Sequence, residues 1–365
     1  NLSRPAPSAD QTLRAEPEVR REVSLQALNT LGCPCVAEQF CTLSRTDEES
    51  LRQAVRWLDA QPGGLILGAG SNVVLATARV PAVLHVGLRG IEELTPPPGA
   101  PADERLVRAA AGEIWHELVQ WTLARQCYGL ENLALIPGTV GAAPVQNIGA
   151  YGVELADRLA AVEAFDRVSN TTLAMTPADC RFGYRDSIFK QQPGRWLITA
   201  VQLRLSARSA PQLDYGNLRQ ELQASGHAEP SAEQVAQAVC RIRTRKLPDP
   251  AVLGNAGSFF KNPVVAPATA ASLRQQWPSL PVFPASTTDG SAAVKLPAGW
   301  LIEQCGFKGW RQGDAGVHEA HALVLVNYGQ ASGQDIVALA GQIIASVQAT
   351  FGVLLEPEPL IVRDA

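Results

Sequence analysis

Apolar residues recur at helical spacing over residues 44–59, where Leu51, Val55 and Leu58 share a face, and residues 63–67 then run apolar without interruption. That pattern predicts an amphipathic helix feeding a buried strand. A second helix is expected over residues 113–126, with Ile114, Leu118 and Trp121 inward and Gly129 beyond its end. Over residues 196–205 the period changes to two, with Val201, Leu203 and Leu205 on one side, which reads as a strand.

Polar residues mark where later helices begin. Ser231 and Gln234 form a capping box that opens a helix with Val235, Ala238, Val239 and Ile242 inward, and Pro248 requires it to stop. Ser332 caps a last helix with Asp335 in its first turn; Ile336, Leu339, Ile343, Val347 and Phe351 form its apolar face and Gly352 its stop. Residues 353–362 are expected to close the chain as a strand. Helices and short strands alternate with no internal repeat and no heptad run, so the fold class is α+β.

A chain of 365 residues exceeds what one core serves and implies two or three domains. Hydrophobic content of 46% and charged content of 18% are ordinary for a soluble globular protein. The formal net charge of -4 argues against nucleic-acid binding by bulk electrostatics, so an anionic ligand must be held by a few placed cations. No apolar run approaches the roughly 20 residues of a membrane span. Residues 1–21 are rich in Pro, Ala and charge and lack the apolar run of a secretory signal, so they read as part of a loose tail. The seven cysteines, including Cys33 and Cys35, lack paired metal spacing and read as reduced thiols with no metal site.

Two glycine-rich stretches carry the candidate chemistry. GAGSN at 68–72 (Gly68, Ala69, Gly70, Ser71, Asn72) follows a predicted strand; it reads either as a phosphate cradle or as a tight turn. It is not a dinucleotide fingerprint, because Val73 stands where the third glycine belongs and residues 73–75 read as strand. IPGTVGAAPVQNIGAYG at 136–152 has small residues against which a planar ligand can lie, or is an elaborate loop punctuated by Gly and Pro. The pair together resembles the vanillyl-alcohol-oxidase type of FAD-binding fold, in which FAD lies extended between two subdomains.

With NTLG at 29–32, YRDSIFK at 184–190, KLPDP at 246–250, GNAGSFFKNP at 254–263, KLPAGWLIEQ at 295–304 and LEPE at 355–358, residues 24–362 resemble the UDP-N-acetylenolpyruvoylglucosamine reductase family in its longer type I form. The resemblance implies a two-subdomain FAD-binding fold plus a C-terminal α+β substrate domain. Its boundaries would be a tail at 1–23, one FAD subdomain at 24–88, a second at 89–244 joined by a C-terminal strand at 356–365, and the substrate domain at 245–355. It implies non-covalent FAD, NADPH as hydride donor, and a cytoplasmic monomer that reduces UDP-N-acetylglucosamine enolpyruvate for peptidoglycan synthesis. Another flavin oxidase or dehydrogenase of the same fold, and a UDP-sugar sensor without chemistry, are the rival readings.

Residue by residue, the resemblance makes Arg185 the holder of the substrate carboxylate, Glu358 the stabiliser of the enolate and Ser258 the donor of a proton to the second carbon. Gly68, Ala69, Gly70, Ser71, Asn72, Pro137, Gly138, Thr139, Gly141, Gln146, Asn147, Gly149, Tyr151 and Gly152 become cofactor-binding. Tyr215, Lys246, Asn262 and Lys295 become substrate-binding. Read without the resemblance, Arg185 is an ion-pair partner for Asp186, Lys246 is a helix-end cation beside Arg241, Arg243 and Arg245, and Glu358 is a solvated terminal residue. Three departures stand out: Ala142 and Ala143 replace a serine pair, Phe283 stands for a tyrosine in a loop running through Asp289, and Pro359 and Leu360 replace Val-Arg, leaving Arg363 as a substitute. All five histidines, His116 and His318 among them, are left without a role.

Overall fold

The computed structural model describes residues 18–286 and 291–364. Its first sheet orders the strands Val19–Ser24, Val36–Leu43, Arg79–Val86 and Leu65–Leu67, with the first pair antiparallel and the others parallel. The helix Glu48–Asp59 packs on it through Leu51, Ala54, Val55 and Leu58. Asp47 caps this helix, accepting from the Ser50 amide at 3.0 Å, and Glu48 and Glu49 favour the positive end of its dipole.

The tail expected to reach residue 23 ends earlier, because Val19 to Ser24 pair with Cys41 to Val36 as a sheet edge. The edge reads as tail because its exposed residues Arg20, Arg21 and Glu22 interrupt any apolar alternation. Residues 1–17 lie outside the described residues.

The second sheet is antiparallel throughout, ordered Thr171–Met175, Leu159–Asp166, Trp196–Ser206, Glu104–Ala110 and Ile91–Leu94. Its central strand is buried at every position from Leu197 to Val201, as a strand covered on both faces must be. The helices Trp115–Ala124 and Ala232–Lys246 belong to the same core. The Ser231–Gln234 capping box forms in both directions, at 3.3 and 2.8 Å, an arrangement that contributes roughly 1 kcal/mol.

The third unit holds a four-stranded sheet, ordered Gly254–Ser258, Val324–Asn327, Ala315–Val317 and Arg311–Gln312, and a three-stranded one, ordered Val264–Val265, Ala292–Lys295 and Phe283–Ser286. The helix Gly333–Phe351 buries Ile336, Leu339, Ile343, Val347 and Phe351 in its core, with Gly352 in the left-handed conformation at its end. Leu31, Cys33 and Val74 from the start of the chain are part of this same core. Gly333 lies so close to the Leu75 carbonyl that a Cβ would collide with it.

The chain end corrects two expectations. Only Leu360–Val362 is strand, and it pairs in parallel with Val73–Leu75 beside the first glycine loop rather than joining the second subdomain. The preceding residues run as irregular chain, with a single bridge between Pro357 and Phe260. Among the described residues no helix is long and apolar enough to cross a membrane, and no group of three or more His, Cys, Asp or Glu could hold a metal ion. Burial raises the thiols of Cys33 to about 12 and Cys35 to about 11, so both are inert in the core.

Candidate active site

The first glycine loop leaves the strand Leu65–Leu67 and enters Val73–Leu75. Gly70 takes a φ of 61° and presses against the Leu28 carbonyl, where no side chain fits. The loop meets the second one face to face. A Cβ on Gly68 would stand 2.6 Å from Thr139 Oγ1, a Cβ on Gly138 would stand 2.7 Å from Ser71 Oγ, and Ser71 Oγ donates to the Pro137 carbonyl at 3.4 Å. Gly141 is seated on Ala111, 2.5 Å from where a Cβ would meet it.

Asn72 closes this junction. Its Nδ2 donates to Gln146 Oε1 at 2.7 Å and to the Glu358 carbonyl at 3.4 Å. Meanwhile the backbone amides of Gly68, Ala69, Gly70, Ser71, Gly138 and Thr139 donate to no other described residue. Unsatisfied amides gathered at two touching glycine loops form an anion cradle, and a diphosphate-bearing cofactor such as FAD fits it. Ala143 is buried in the core at 2% exposure.

Further along the second loop, Asn147 is left-handed at φ 45° and buried at 1%. Its amide is consumed by protein: Nδ2 donates to Glu154 Oε2 at 2.7 Å and to the Gly183 carbonyl at 3.2 Å, while Oδ1 accepts from the Ala156 amide. Asn147 therefore ties the loop to the turn that holds Arg185, and with its own amide donating to the Pro144 carbonyl it leaves only its backbone carbonyl for a ligand. Gly149 offers its carbonyl to Arg185 Nη2 at 2.9 Å. Tyr151, at φ 49°, has its carbonyl held by Asn132, and Gly152 lies against Tyr215. Tyr215 is 58% exposed at the rim.

Residues 183–186 form a turn closed by Gly183 and Asp186, which exchange hydrogen bonds at 3.0 and 3.2 Å. Arg185 sits in it at a left-handed φ of 54°, a conformation that costs about 1 kcal/mol or more for a side-chain-bearing residue. Ser187, fully buried, caps the helix Ile188–Gln191 and ties it to the second glycine loop through the Val145 carbonyl at 2.6 Å. The guanidinium of Arg185 reaches Glu358, Nε to Oε1 at 3.5 Å, not Asp186. Buried, that Nε has no hydrogen-bond partner among the described residues. An orphaned donor of this kind is costly unless a ligand completes it.

Glu358 is 9% exposed, not solvated. Its amide donates to the Phe259 carbonyl at 2.8 Å, its carbonyl is held by Asn72, and the Leu360 amide donates to Asn72 at 3.1 Å. Burial holds its carboxyl above the usual range, against the pull of Arg185, Lys190 and Lys261. Ser258 ends the strand Gly254–Ser258 one residue before Phe259, past a break in register at the left-handed Gly257. Its hydroxyl makes no hydrogen bond among the described residues, and the Phe259–Glu358 bond sets the two backbones side by side.

The substrate-binding candidates divide. Lys295 Nζ lies 3.8 Å from the centre of the Tyr184 ring, beside Arg185. Burial lowers its ammonium below the usual range. Asn262 Oδ1 accepts from the Ala298 amide at 2.9 Å and so caps the helix Ala298–Gln304. Lys246 ends its helix near His321 and makes no ion pair or hydrogen bond with the Arg185–Glu358 pair. Phe283 is not in a loop: it is a strand residue, 53% exposed, directly opposite Lys295 in register. Asp289 lies outside the described residues. Arg363 is exposed past the last strand.

Two residues gain a place that sequence reasoning missed. Arg241 and Arg245 both pair with Glu221, as helix-end cations do, but Arg243 makes no ion pair among the described residues. Its Nε donates to the Leu135 carbonyl at 3.2 Å, and it lies near Tyr151 and Arg185. The signal was in the period, since Arg243 shares a face with Val239 and follows Ile242, both buried. His116 accepts from the Leu135 amide at 3.0 Å and thereby holds the entrance of the second loop; nothing in the sequence marked it.

Two touching glycine loops with a buried arginine–carboxylate pair beside them define an FAD-dependent oxidoreductase, and an FAD-binding domain model matches residues 41–172. The C-terminal domain model of UDP-N-acetylenolpyruvoylglucosamine reductase matches residues 249–362. The chain is 51% identical to the UDP-N-acetylenolpyruvoylglucosamine reductase of Chromobacterium violaceum, over 94% of this chain and 99% of that protein. It is 49% identical to that of Pseudomonas putida, over 93% and 98%. The crystal structure of UDP-N-acetylenolpyruvylglucosamine reductase from Thermus caldophilus superposes with a TM-score of 0.63 at 27% identity, covering 95% of this chain and all of that one. The chain belongs to the UDP-N-acetylenolpyruvoylglucosamine reductase family.

Proposed function

We propose that this protein reduces UDP-N-acetylglucosamine enolpyruvate to UDP-N-acetylmuramate with NADPH as hydride donor, in the cytoplasm, for peptidoglycan synthesis. Residues 24–88 and 89–244 would hold the FAD and residues 245–355 the substrate. When bound, FAD supplies the carrier that takes hydride from NADPH and passes it to the substrate. The observation that carries the reading is the buried Arg185–Glu358 pair, with an unused guanidinium N–H on one partner and a raised carboxyl on the other.

Hydride arriving at the terminal carbon of an enolpyruvyl group drives negative charge onto a carboxylate that is already charged. Stabilising that charge is the task of the site. Arg185 is suited to grip the carboxylate, since its Nε–H makes no hydrogen bond among the described residues and a guanidinium binds carboxylates in pairs of hydrogen bonds. Its strained turn, braced by the Gly149 carbonyl, fixes the direction of the fork. Glu358, its carboxyl raised by burial toward the protonated form, is suited to hydrogen-bond the developing enolate.

Ser258 then gives its hydroxyl proton to the second carbon and is reprotonated from solvent. Lys295 and Arg243 supply the positive charge that an acidic protein otherwise lacks for a diphosphate. Tyr215 and Phe283 stand at the rim as faces for the rest of the nucleotide sugar. The reading is tested by turnover in deuterated water with unlabelled NADPH. The product must carry solvent deuterium at the second carbon of the lactyl group, whatever label exchange on the reduced flavin adds at the terminal carbon; a product without it contradicts proton delivery by the protein.

A further inference from the structure

Lys190 reaches back over the turn it follows. Its Nζ donates to the Arg185 carbonyl at 3.4 Å, across the left-handed residue that aims the guanidinium. The charged groups facing Glu358 are Arg185 and Lys190 from one segment, Lys261 from the strand end that carries Ser258, and the phenol of Tyr184. Glu356, on the same segment as Glu358, is taken up by Lys261 at 2.5 Å, and Asp186 by the Ser187 amide and Gln191. Lys190 differs from the other two cations: half-buried, it has no carboxylate within ion-pair distance among the described residues. A half-buried ammonium held by one long carbonyl bond is poorly compensated, and the field it adds falls on Glu358.

We infer that Lys190 is a positioning residue for the proposed reaction: it pins the strained Arg185 turn through its carbonyl, and its ammonium, which no described carboxylate meets at ion-pair distance, acts on Glu358 across that turn. The inference rests on the reading of Arg185 and Glu358 as the groups that act on the enolpyruvyl carboxylate. Burial pushes Glu358 toward the protonated form and Lys190 opposes it, so removing the ammonium lets Glu358 keep its proton to higher pH. A cation with no part in this would leave that titration where it is.

The test uses the holoenzyme with Lys190→Met, Lys190→Gln, which keeps a donor for the carbonyl without the charge, and Lys190→Arg. First, the carboxyl stretch of Glu358, assigned by its loss in Glu358→Gln, is titrated by difference infrared spectroscopy without turnover. Its midpoint should rise in the Met and Gln variants and stay in place in the Arg variant. Second, kcat for the sugar should fall about tenfold or more in Lys190→Met with KM little changed, and the alkaline limb of its pH profile should move with the infrared midpoint. A midpoint unmoved in Lys190→Gln, or an Arg variant as impaired as the Met variant, overturns the inference. If the unaltered protein fails to turn over the UDP-enolpyruvyl sugar, the functional reading fails instead, while the infrared titration still decides the case of Lys190.

Discussion

Arg185 Nε lies 3.5 Å from Glu358 Oε1, in a contact that joins residues 173 positions apart and leaves the Nε–H without a hydrogen bond among the described residues. The separation is bridged by the two glycine loops. Asn72 in the first binds both Gln146 and the Glu358 backbone, and Gly149 in the second binds Arg185. Any ligand that rests on those loops is therefore presented to the pair.

Replacing Ser258 by Ala removes the hydroxyl at the strand end while leaving the Phe259–Glu358 backbone bond intact. Reduction of the bound flavin by NADPH should proceed nearly as before. Its reoxidation by the UDP-enolpyruvyl sugar should slow by about 10²-fold or more. Rapid-mixing spectroscopy of the two half-reactions separates them, and equal loss in both would remove Ser258 from the proton-donor role.

Glu358 gives a pH dependence with a definite sign. Its folded-state carboxyl is raised by burial, so the native state holds the proton more tightly than the unfolded chain. The associated stability is full below the ordinary glutamate range and is lost as pH rises through the raised value. Gln cannot ionise. Glu358→Gln should therefore melt higher, relative to the unaltered protein, at about pH 9 than at about pH 4, while turnover falls at both. A melting difference that does not change with pH would contradict the burial argument.

Gly70→Ala should lose bound FAD and at least about 2 kcal/mol of stability, since a Cβ meets the Leu28 carbonyl as well as an unfavourable φ. Gly226→Ala is the control. Gly226 has a φ of 80° but nothing within 4 Å of a Cβ, so the cost should be about 1 kcal/mol with FAD retained. Thermal melts and the flavin-to-protein absorbance ratio report both quantities.

Much of the fold was legible locally. The Ser231 capping box, the Ser332 cap and the strand at 196–205 are written in caps and periods a few residues long, and they formed where expected; the helix expected from residue 44 starts at Glu48, behind its cap Asp47. What the sequence did not disclose is long-range. Pairing of Leu360 with Val73 depends on contacts nearly 290 residues apart, and no period announces a three-residue parallel strand. The burial of Glu358 has the same origin, because it depends on the segment after Ser258, where the Phe259 carbonyl accepts from the Glu358 amide and Phe260 bridges Pro357. Lys246 and Arg243 show the limit of motif reasoning: neighbours on one helix, they reach different surroundings because the helix turns about 100° per residue.

Phe283 stands opposite Lys295 with its ring half exposed. A hydroxyl at the ring tip adds a donor and acceptor where the nucleotide sugar is proposed to pass, at no packing cost. Phe283→Tyr should lower KM for the sugar by about two- to tenfold with kcat unchanged, and Phe283→Ala should raise it. Steady-state kinetics at saturating NADPH check both, and an unchanged KM in the two variants would place Phe283 outside the path of the substrate.

The most direct measurement is an anaerobic absorbance titration of the yellow holoprotein, with NADPH added first and the UDP-enolpyruvyl sugar second. The account predicts that NADPH bleaches the flavin band and that the sugar alone restores it, in stoichiometric amount. If the sugar leaves the bleached flavin unchanged and air restores it rapidly, the protein is an oxidase of this fold and the reductase account is wrong.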